Sequence, residues 1–554
     1  MNAALIALLT VGSFVLSYFL YSRFLSEKIF QLEDSETVPS KLHADGVDFV
    51  ATKRSILWGH HFTSIAGAAP IVGPAIAVIW GWLPALIWIV LGTIFMGAVH
   101  DFSAMVISLR NQGRSIGDIT GEIIGPRART IFLLIISLLI WIVLAVFSYV
   151  IATLFVGNPS AIFPINIQIL VALILGWATY KRKIGLGIPS LIGYSVLLVG
   201  ILYGDFFAKS FPQITQIPVI TWVWILLLYS FVSSVLPVWL LLQPRDYLNS
   251  HQLLTGLGLL ITGLLILQPT IVAPAVNPAP PGAPPMIPFL FITIACGAIS
   301  GFHGLVSSGT TSKQINRMTD ARPIGYGSML GEGTLGMLAV LAATAGFASL
   351  DHWSTHYSSW GEANGLAQKL EAFVSGSSQF ISAIGIAEDT SRTFVAVMVI
   401  AFAATSLDTG ARIQRLIISE LATNYKLPAL KNRFVAAAAG IGAALVLAIT
   451  QGSGKGGLIL WPLFGTTNQL VAGATLLVVS LWLKNSGKPI LFTLLPAIVV
   501  TLTTCLAMTR ELLGYLSHLP EQWLLAFLAG SILAANFWLL FEGSCLLLKR
   551  NTTR

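Results

Sequence analysis

Apolar stretches of about 20 residues recur from Ala3 to Leu548, and short polar loops separate them. A helix of about 20 predominantly apolar residues can cross the hydrocarbon core of a bilayer. Only 10% of the residues are charged, whereas typical soluble domains carry about 25%. The chain lacks the polar residues that the surface of a large soluble fold needs, so the pattern predicts an all-α polytopic membrane protein.

The basic residues indicate how many spans there are and how they are oriented. With fifteen spans and the N-terminus outside, nearly all lysines and arginines fall in cytoplasmic loops; the exceptions are Lys209, Lys369, Arg392, Lys455 and Arg510. This asymmetry is typical of membrane proteins. It places the C-terminus in the cytoplasm and explains the net charge of +8 without nucleic acid. The predicted spans cover residues 3–24, 57–80, 83–109, 130–156, 164–180, 188–204, 219–243, 253–272, 287–309, 323–350, 393–418, 434–451, 457–483, 489–509 and 523–547.

The second span carries two prolines and several glycines between Gly59 and Pro74. Proline removes a backbone donor, and unpaired backbone groups at membrane depth are tolerated only against protein or a water-filled cavity. We expect a broken helix that lines a cavity; a proline kink packed by small residues is the alternative. A similar polar stretch, from Ser233 to Pro237, lies in the seventh span. Two such helices five spans apart are typical of an inverted repeat of five plus five helices.

This spacing also predicts how the chain is divided. Residues 1–30 form an accessory N-terminal helix, and residues 45–420 form a core with repeats over about 56–204 and 216–418. Residues 430–554 form C-terminal accessory helices. The longest outer loop contains an amphipathic piece near Leu366–Ser375, which predicts a helix at the membrane interface.

Polar residues in five spans lie at a similar depth from the predicted cytoplasmic boundary. Ionisable groups at such depth are costly and usually mark a substrate or proton pathway, and histidine and carboxyl groups can carry a coupling proton. The sequence therefore predicts one buried site with three sets of residues. The substrate-binding set is His60, His61, Ser64, Gly67, Pro70, Ser233, Ser234, Ser300 and His303; the proton-coupling set is His100, Asp101 and Glu332; and the alternative, a sodium site, is Ser307, Ser308 and Thr310.

Plainer interpretations of these residues stay open. Asp101 and Glu332 could form a buried structural pair, and each histidine could make an ordinary core hydrogen bond. A metal is disfavoured, because adjacent histidines on a helix point about 100° apart and the three cysteines lie far apart. Asp408 and Arg412 have the spacing of a local ion pair. The glycine-rich stretch 452–457 lacks the spacing of a phosphate loop, which argues against ATP binding.

Short motifs between residues 45 and 480 resemble those of a known family. They are Asp45-Gly-Val-Asp-Phe-Val, Gly59-His-His-Phe, Ala66-Gly-Ala-Ala-Pro-Ile-Val-Gly-Pro, Val99-His-Asp-Phe, Arg110-Asn-Gln-Gly-Arg-Ser-Ile-Gly, Leu236-Pro-Val-Trp-Leu-Leu-Leu-Gln-Pro-Arg-Asp-Tyr, Phe289-Leu-Phe-Ile-Thr-Ile-Ala-Cys-Gly-Ala-Ile-Ser-Gly-Phe-His, Ser307-Ser-Gly-Thr-Thr, Ile324-Gly-Tyr-Gly and Leu460-Trp-Pro-Leu-Phe-Gly. These motifs are similar to those of the carbon starvation protein A family, which comprises bacterial transporters of peptides and pyruvate.

The resemblance implies a secondary transporter of the bacterial inner membrane that imports small peptides or pyruvate under nutrient limitation. It implies a proton as the coupling ion, with sodium as the alternative, and kinship with the amino acid–polyamine–organocation superfamily, whose core is an inverted five-plus-five repeat. The expected partners are the small-molecule substrate and membrane lipid, without nucleic acid, metal or cofactor; the oligomeric state is open. A nutrient sensor that binds without transport is the competing function, and no nucleophile–base spacing supports an enzyme.

Overall fold

A computed structural model describes residues 1–450 and 454–549 of the chain. Gly452 and Ser453 of the glycine-rich stretch and the last five residues lie outside the described part. Within it the regular structure is helical, and the β-pairing there is a single bridge between Asn2 and Thr270. The predicted all-α class is confirmed.

The helices that form the bundle are numbered in chain order. They are α1 (Ala3–Phe24), α2 (Arg54–Ile65), α3 (Ala69–Ala77), α4 (Trp82–Gly92), α5 (Ala98–Arg110), α6 (Pro126–Gly157), α7 (Ile162–Arg182), α8 (Gly187–Leu202), α9 (Val219–Val235), α10 (Leu242–Leu267), α11 (Met286–Thr293), α12 (Gly301–Val306), α13 (Gly327–Ala345), α14 (Leu366–Ser382), α15 (Glu388–Asn424), α16 (Arg433–Ile449), α17 (Pro462–Asn485), α18 (Leu491–Ser517) and α19 (Trp523–Leu548).

Short helices lie in the connections. They cover Pro39–Leu42, Ile116–Ile123, Gly204–Ser210, Pro212–Thr215, Leu350–His356, Trp360–Ala363 and Gly456–Ile459. π-helical turns cover Leu25–Phe30 after α1, Thr93–Gly97 between α4 and α5, Ser307–Thr311 after α12, and Arg322–Tyr326 before α13.

Ten helices of the described part are long and apolar enough to cross a membrane, or up to twelve if two bent pairs each count as one span. The bent pairs are α2 with α3, at 45°, and α8 with Gly204–Ser210, at 58°. The predicted count of fifteen is not confirmed, because α9 and α16 are apolar but have only 17 residues each. The predicted span over 287–309 is divided into α11 and α12.

The connections gather at two ends of the helical bundle. At one end the amide of Asn277 donates to the carbonyl of Trp80 at 2.8 Å, and at the other end the amide of Thr52 donates to Gln314 at 3.0 Å. The first end joins loops that the sequence predicts outside the cell, and the second joins loops predicted inside. We call them the predicted outer end and the predicted inner end.

Burial divides the spans into central and peripheral helices. In α15 and α17, 94% of the most apolar stretch is buried, whereas the figures are 39% for the span that begins with α1 and 33% for α19. The chain therefore begins and ends at the periphery of the bundle, and its polar residues lie on central helices.

Two helices are interrupted in the middle of the bundle. Residues 66–68 separate α2 from α3 just before Pro70, where the sequence predicts a break. The second interruption, over residues 294–300, separates α11 from α12. The sequence instead predicts it at Pro237, inside a span over 219–243. In the structure Pro237 lies between two separate helices, because α9 ends at Val235 and α10 begins at Leu242.

Candidate functional site

The two breaks lie against each other. Gly297 has a φ of +93°, a conformation that favours glycine, and a Cβ added there would lie 3.5 Å from the Cβ of Pro70. A Cβ added at Gly73 in α3 would lie only 2.3 Å from the carbonyl oxygen of Thr293. Glycine at these two positions therefore allows the interrupted helices to approach closely.

Four ionisable side chains meet at the second break: His100, Asp101, His303 and Glu332, which we call the acid–histidine cluster. Nδ1 of His303 is 3.1 Å from Oδ2 of Asp101, and its Nε2 is 3.2 Å from Oε2 of Glu332. The other Asp101 oxygen is 2.8 Å from Nδ1 of His100. All four side chains are fully buried. The structure thus brings the three predicted proton-coupling residues together with His303.

Backbone and amide groups connect this cluster to the break. The amide of Gly297 donates to Oε1 of Glu332 at 3.0 Å. Asn468 of α17 accepts a hydrogen bond from the amide of Phe302 at 2.9 Å and donates one to the hydroxyl of Ser300 at 3.0 Å. Asn468 therefore caps the start of α12, which carries His303. Asn468 is not among the predicted site residues, because its partners lie more than 160 residues away in the chain.

A second buried group surrounds Arg245, at the start of α10. We call Arg245, Asp246, Asp408, Tyr229 and His60 the arginine cluster. Arg245 donates to Asp246 at 2.8 Å, to the hydroxyl of Tyr229 at 2.7 Å and to Asp408. Nδ1 of His60 is 2.5 Å from the other Asp246 oxygen. The predicted spans over 219–243 and 253–272 leave Arg245 in a loop. An Arg-Asp pair shortly before an apolar span is the signal in the sequence that points to this cluster.

The predicted local ion pair between Asp408 and Arg412 is wrong. Asp408 faces Arg245, whereas Arg412 donates to Asp48 at 2.6 Å at the predicted inner end. Arg415 also contacts Asp48, at 2.8 Å. Burial raises the pKa of the Asp48 carboxyl, but the two arginines outweigh burial and hold that pKa below its usual range. One turn of α15 therefore separates two ion networks.

Adjacent histidines of α2 contact two different partners. His60 belongs to the arginine cluster, and Nδ1 of His61 is 2.9 Å from the hydroxyl of Thr311, in the turn that follows α12. Nε2 of His61 is buried without a hydrogen-bond partner among the described residues. Consecutive side chains on a helix point in different directions, so α2 contacts both the Arg245 side and the His303 side of the bundle.

Several predicted site hydroxyls bond to their own helices. Ser233 and Ser234 donate to carbonyls three residues earlier, and Ser308 and Thr310 donate to carbonyls four residues earlier. The hydroxyl of Ser307 is buried and has no partner in the described part of the chain. The predicted sodium residues therefore lie beside α12, but two of their three hydroxyl protons are used locally.

Ser64 and Gly67, at the first break, contact α15 rather than the clusters. The hydroxyl of Ser64 lies 3.1 Å from that of Thr409, and the carbonyl of Ser64 accepts from Ser406 at 3.0 Å. A Cβ at Gly67 would lie 2.6 Å from the hydroxyl of Ser406. These residues hold the end of α2 on the central helix.

A cavity of about 370 Å³ lies toward the predicted outer end, and we call it the outer cavity. Its walls come from α3, α11, α14, the start of α17, the last part of α18 and Trp360. Cys296, in the second break, lines it as well. The Cys296 sulfur lies within 4.8 Å of donor atoms of His303 and Glu332. The cavity therefore reaches the acid–histidine cluster at Cys296.

Cys296, His303 and Glu332 are a set that could hold a metal ion. A thiol, an imidazole and a carboxylate are all ligands of transition metals. The sulfur of Cys296 lies 3.3 Å from the hydroxyl of Ser300, which is an ordinary partner for a thiol. The sequence prediction that the chain holds no metal stays a prediction.

Comparison with known proteins identifies relatives over nearly the whole chain. The family model described as Carbon starvation protein CstA matches residues 2–507. A relative from Campylobacter jejuni, named Peptide transporter CstA, is 31% identical over 93% of this chain and 81% of its own length. One from Escherichia coli K12, named Pyruvate/proton symporter BtsT, is 32% identical over 92% of this chain and 82% of its own.

A solved structure shares the fold. A mutant manganese transporter from Eremococcus coleocola superposes with a TM-score of 0.57, at 14% identity, over 91% of this chain and 99% of that one. At this identity the likeness concerns the fold alone. The family match and the relatives together show that the chain belongs to the carbon starvation protein CstA family.

Proposed function

We propose that this chain is a secondary transporter that imports small peptides or pyruvate across the bacterial inner membrane, driven by protons. The relatives named as a peptide transporter and a pyruvate/proton symporter support this class. The observation that carries the proposal is the meeting of the outer cavity with the acid–histidine cluster at Cys296. A substrate in the cavity and a proton on the cluster would occupy neighbouring sites.

The chemistry of the second break supports coupling between the two sites. Cys296 lines the cavity, and the amide of the next residue, Gly297, donates to Glu332. A substrate that displaces residues 294–300 would therefore change the hydrogen bonding of Glu332. Buried histidines and carboxylates in contact are the usual components of proton relays in transporters. The contacts of His303 with Asp101 and with Glu332 would suit such a relay.

A proton is favoured over sodium as the coupling ion. The acid–histidine cluster holds two carboxyl groups and two imidazoles within direct contact distances. The alternative sodium residues Ser308 and Thr310 donate to carbonyls of their own helix, which is the ordinary arrangement of a helical hydroxyl. The proposed cargo is the small-molecule substrate, and no further cofactor is invoked.

The proposed architecture is an inverted repeat whose first helices are the two interrupted ones. α3 packs on α11 and α2 packs on α12, so corresponding halves of the broken helices are neighbours. This assignment keeps the first repeat at its predicted start near residue 56 and moves the second break from Pro237 to residues 294–300. The same proposal includes three further predictions from the sequence. They are the accessory helices at 1–30 and 430–554, the fifteen spans and the cytoplasmic position of the predicted inner end.

Uptake into proteoliposomes tests this function. With the membrane potential clamped at zero and the outside one pH unit more acidic, symport of one proton per substrate gives up to about tenfold accumulation, because one pH unit corresponds to about 1.4 kcal/mol. Labelled pyruvate and labelled dialanine are the probes. Substrate binding without uptake would support the sensor instead, and uptake of both probes that ignores the gradient would overturn proton coupling.

Variants assign the coupling residues. E332Q and D101N should equilibrate substrate without gradient-driven accumulation, because each lacks one proton-binding carboxyl group. E521Q is the matched control, since Glu521 is exposed in a loop. Full accumulation by both variants would show that the acid–histidine cluster does not carry the coupling proton.

A further inference from the structure

One basic and one acidic residue line the outer cavity. Lys369 comes from α14 and Glu511 from α18, and no other formally charged side chain of the described residues lines it. Lys369 and Glu511 do not form an ion pair with each other. The cavity therefore has a cationic group on one wall and a carboxyl group on another, with space between them.

Lys369 is unusual for an outer-loop lysine. The residue is only 6% exposed. Within residues 1–450 and 454–549, its ammonium group has neither a hydrogen-bond acceptor nor a carboxylate within ion-pair distance. The acidic group nearest to it in its own helix, Glu371, is instead bonded to Arg392 at 3.0 Å. Burial lowers the pKa of Lys369 to about 8. A buried ammonium without a counter-ion is costly, so a ligand that brings a carboxylate would be stabilised there.

Glu511 has unused bonding capacity. Its Oε2 accepts a hydrogen bond from the hydroxyl of Thr466 at 3.1 Å, and its Oε1 has no donor among the described residues. A carboxylate can accept several hydrogen bonds. A ligand ammonium is a donor that this position would accept.

The rest of the cavity is aromatic and apolar. Trp461 and Phe464 stack at 4.6 Å between ring centroids, and Phe289 and Trp360 also line the space. The volume of about 370 Å³ lies at the lower end of the about 300–1,000 Å³ of small-molecule sites. Such a space suits a small ligand with charged ends and a short apolar body better than a three-carbon acid with a single charge.

We propose that the outer cavity is the entry site for a zwitterionic short peptide, with the peptide carboxylate on Lys369 and the peptide ammonium on Glu511. This assignment rests on the proposed transport function and selects peptides over pyruvate as the substrate class. Pyruvate carries a carboxylate for Lys369 and nothing for Glu511. The ordering of the two ends would also fix the direction in which the peptide enters.

Binding of dialanine and its blocked forms to the purified full-length protein tests the assignment. The probes are dialanine, N-acetyl-dialanine, dialanine amide and pyruvate, and calorimetry measures their affinities. Loss of one hydrogen bond between charged groups weakens binding about tenfold or more. The wild-type protein should bind each blocked dipeptide and pyruvate at least tenfold more weakly than dialanine. Equal binding of dialanine and its blocked forms by the wild-type protein would overturn the proposal without any variant.

Two substitutions assign the ends. K369M should bind dialanine and its amide alike, while it still rejects the acetylated form; E511Q should show the opposite pattern. K369R should keep the wild-type pattern, and K209M and E521Q, at exposed positions, are controls. If both K369M and E511Q discriminate as the wild-type protein does, the site assignment is wrong even where peptide uptake is normal. Absence of any uptake would instead contradict the transport function.

Discussion

Replacement of Arg245 by methionine tests how much the arginine cluster stabilises the fold. The Arg245 side chain is 2% exposed, and it contacts two carboxylates, Asp246 and Asp408, that are fully buried. R245M would leave both without their arginine partner. Removal of one member of a buried ion pair costs about 3–5 kcal/mol. Since two carboxylates are affected, we expect a loss of about 5 kcal/mol in the free energy of unfolding.

Partial removals should cost less, in a defined order. D408N leaves Arg245 paired with Asp246, and hydrogen bonds to charged groups contribute about 1.5–3 kcal/mol, so we expect a loss in that range. Y229F removes one hydroxyl that accepts from Arg245 at 2.7 Å and should cost about 1 kcal/mol. The double variant R245M/D408N should lose less than the sum of the single losses by at least about 1 kcal/mol, because the two residues are in direct contact.

Denaturant unfolding of the purified protein in mixed micelles, followed by tryptophan fluorescence, measures these differences. R127M is the matched control, since Arg127 is exposed and such substitutions change stability by about 0.5 kcal/mol or less. If R245M is as stable as R127M, or if the losses in R245M and D408N simply add, the cluster does not stabilise the fold as argued. D408N and Y229F keep the test informative where R245M is not recovered from membranes.

Three further outcomes follow from the outer cavity and the breaks. G73A should lower both uptake and the unfolding midpoint, because its Cβ would lie 2.3 Å from the Thr293 carbonyl oxygen. Such overpacking costs about 1–3 kcal/mol. G258A is the control and should lower neither, because a Cβ at Gly258 has no neighbouring atom within 4 Å. With the other two cysteines replaced by serine, Cys296 should react with a small thiol reagent, and dialanine should slow the reaction; unchanged labelling would contradict its place in the site. Burial lowers the pKa of Lys369 to about 8, so its charge is present below that pH and lost above it. The peptide ammonium also deprotonates in this range, with a pKa of about 7.7–8.0, and it does so in both proteins. Dialanine affinity should therefore fall about tenfold more from pH 7 to pH 9 in the wild-type protein than in K369R.

The sequence predicts the helical class, the first break and the grouping of ionisable residues for simple physical reasons. Hydropathy alone distinguishes a membrane bundle from a soluble fold. Pro70 has no backbone donor, so it favours the first turn of a helix, where it lies in α3. Asp101, His303 and Glu332 each lie about ten residues from a basic residue of a predicted cytoplasmic loop, so their predicted depth in the membrane is the same. Ionisable residues at one depth on central helices are expected to share a site.

The second break and the ion pairs could not be predicted in the same way. The break over residues 294–300 contains no proline, and Gly297 lies beside Pro70, which is more than two hundred residues earlier in the chain. Asp408 has a basic residue one helical turn away, so local spacing favours Arg412. Its actual partner, Arg245, comes from another helix. Contacts of this kind depend on how helices pack, which a single sequence does not encode in its spacing.

The two ends of the bundle differ in a way that bears on alternating access. Toward the predicted outer end the cavity of about 370 Å³ separates the outer halves of the broken helices from α14 and α18. At the predicted inner end Asp48 ties the segment before α2 to Arg412 and Arg415 of α15. His60 and Asp246 fix α2 itself, at 2.5 Å. In the proposed transport cycle, an inward-open state would have to break these charged contacts and close the outer cavity. The ion networks at the predicted inner end and ligand binding in the outer cavity would therefore stabilise the same outward-facing state.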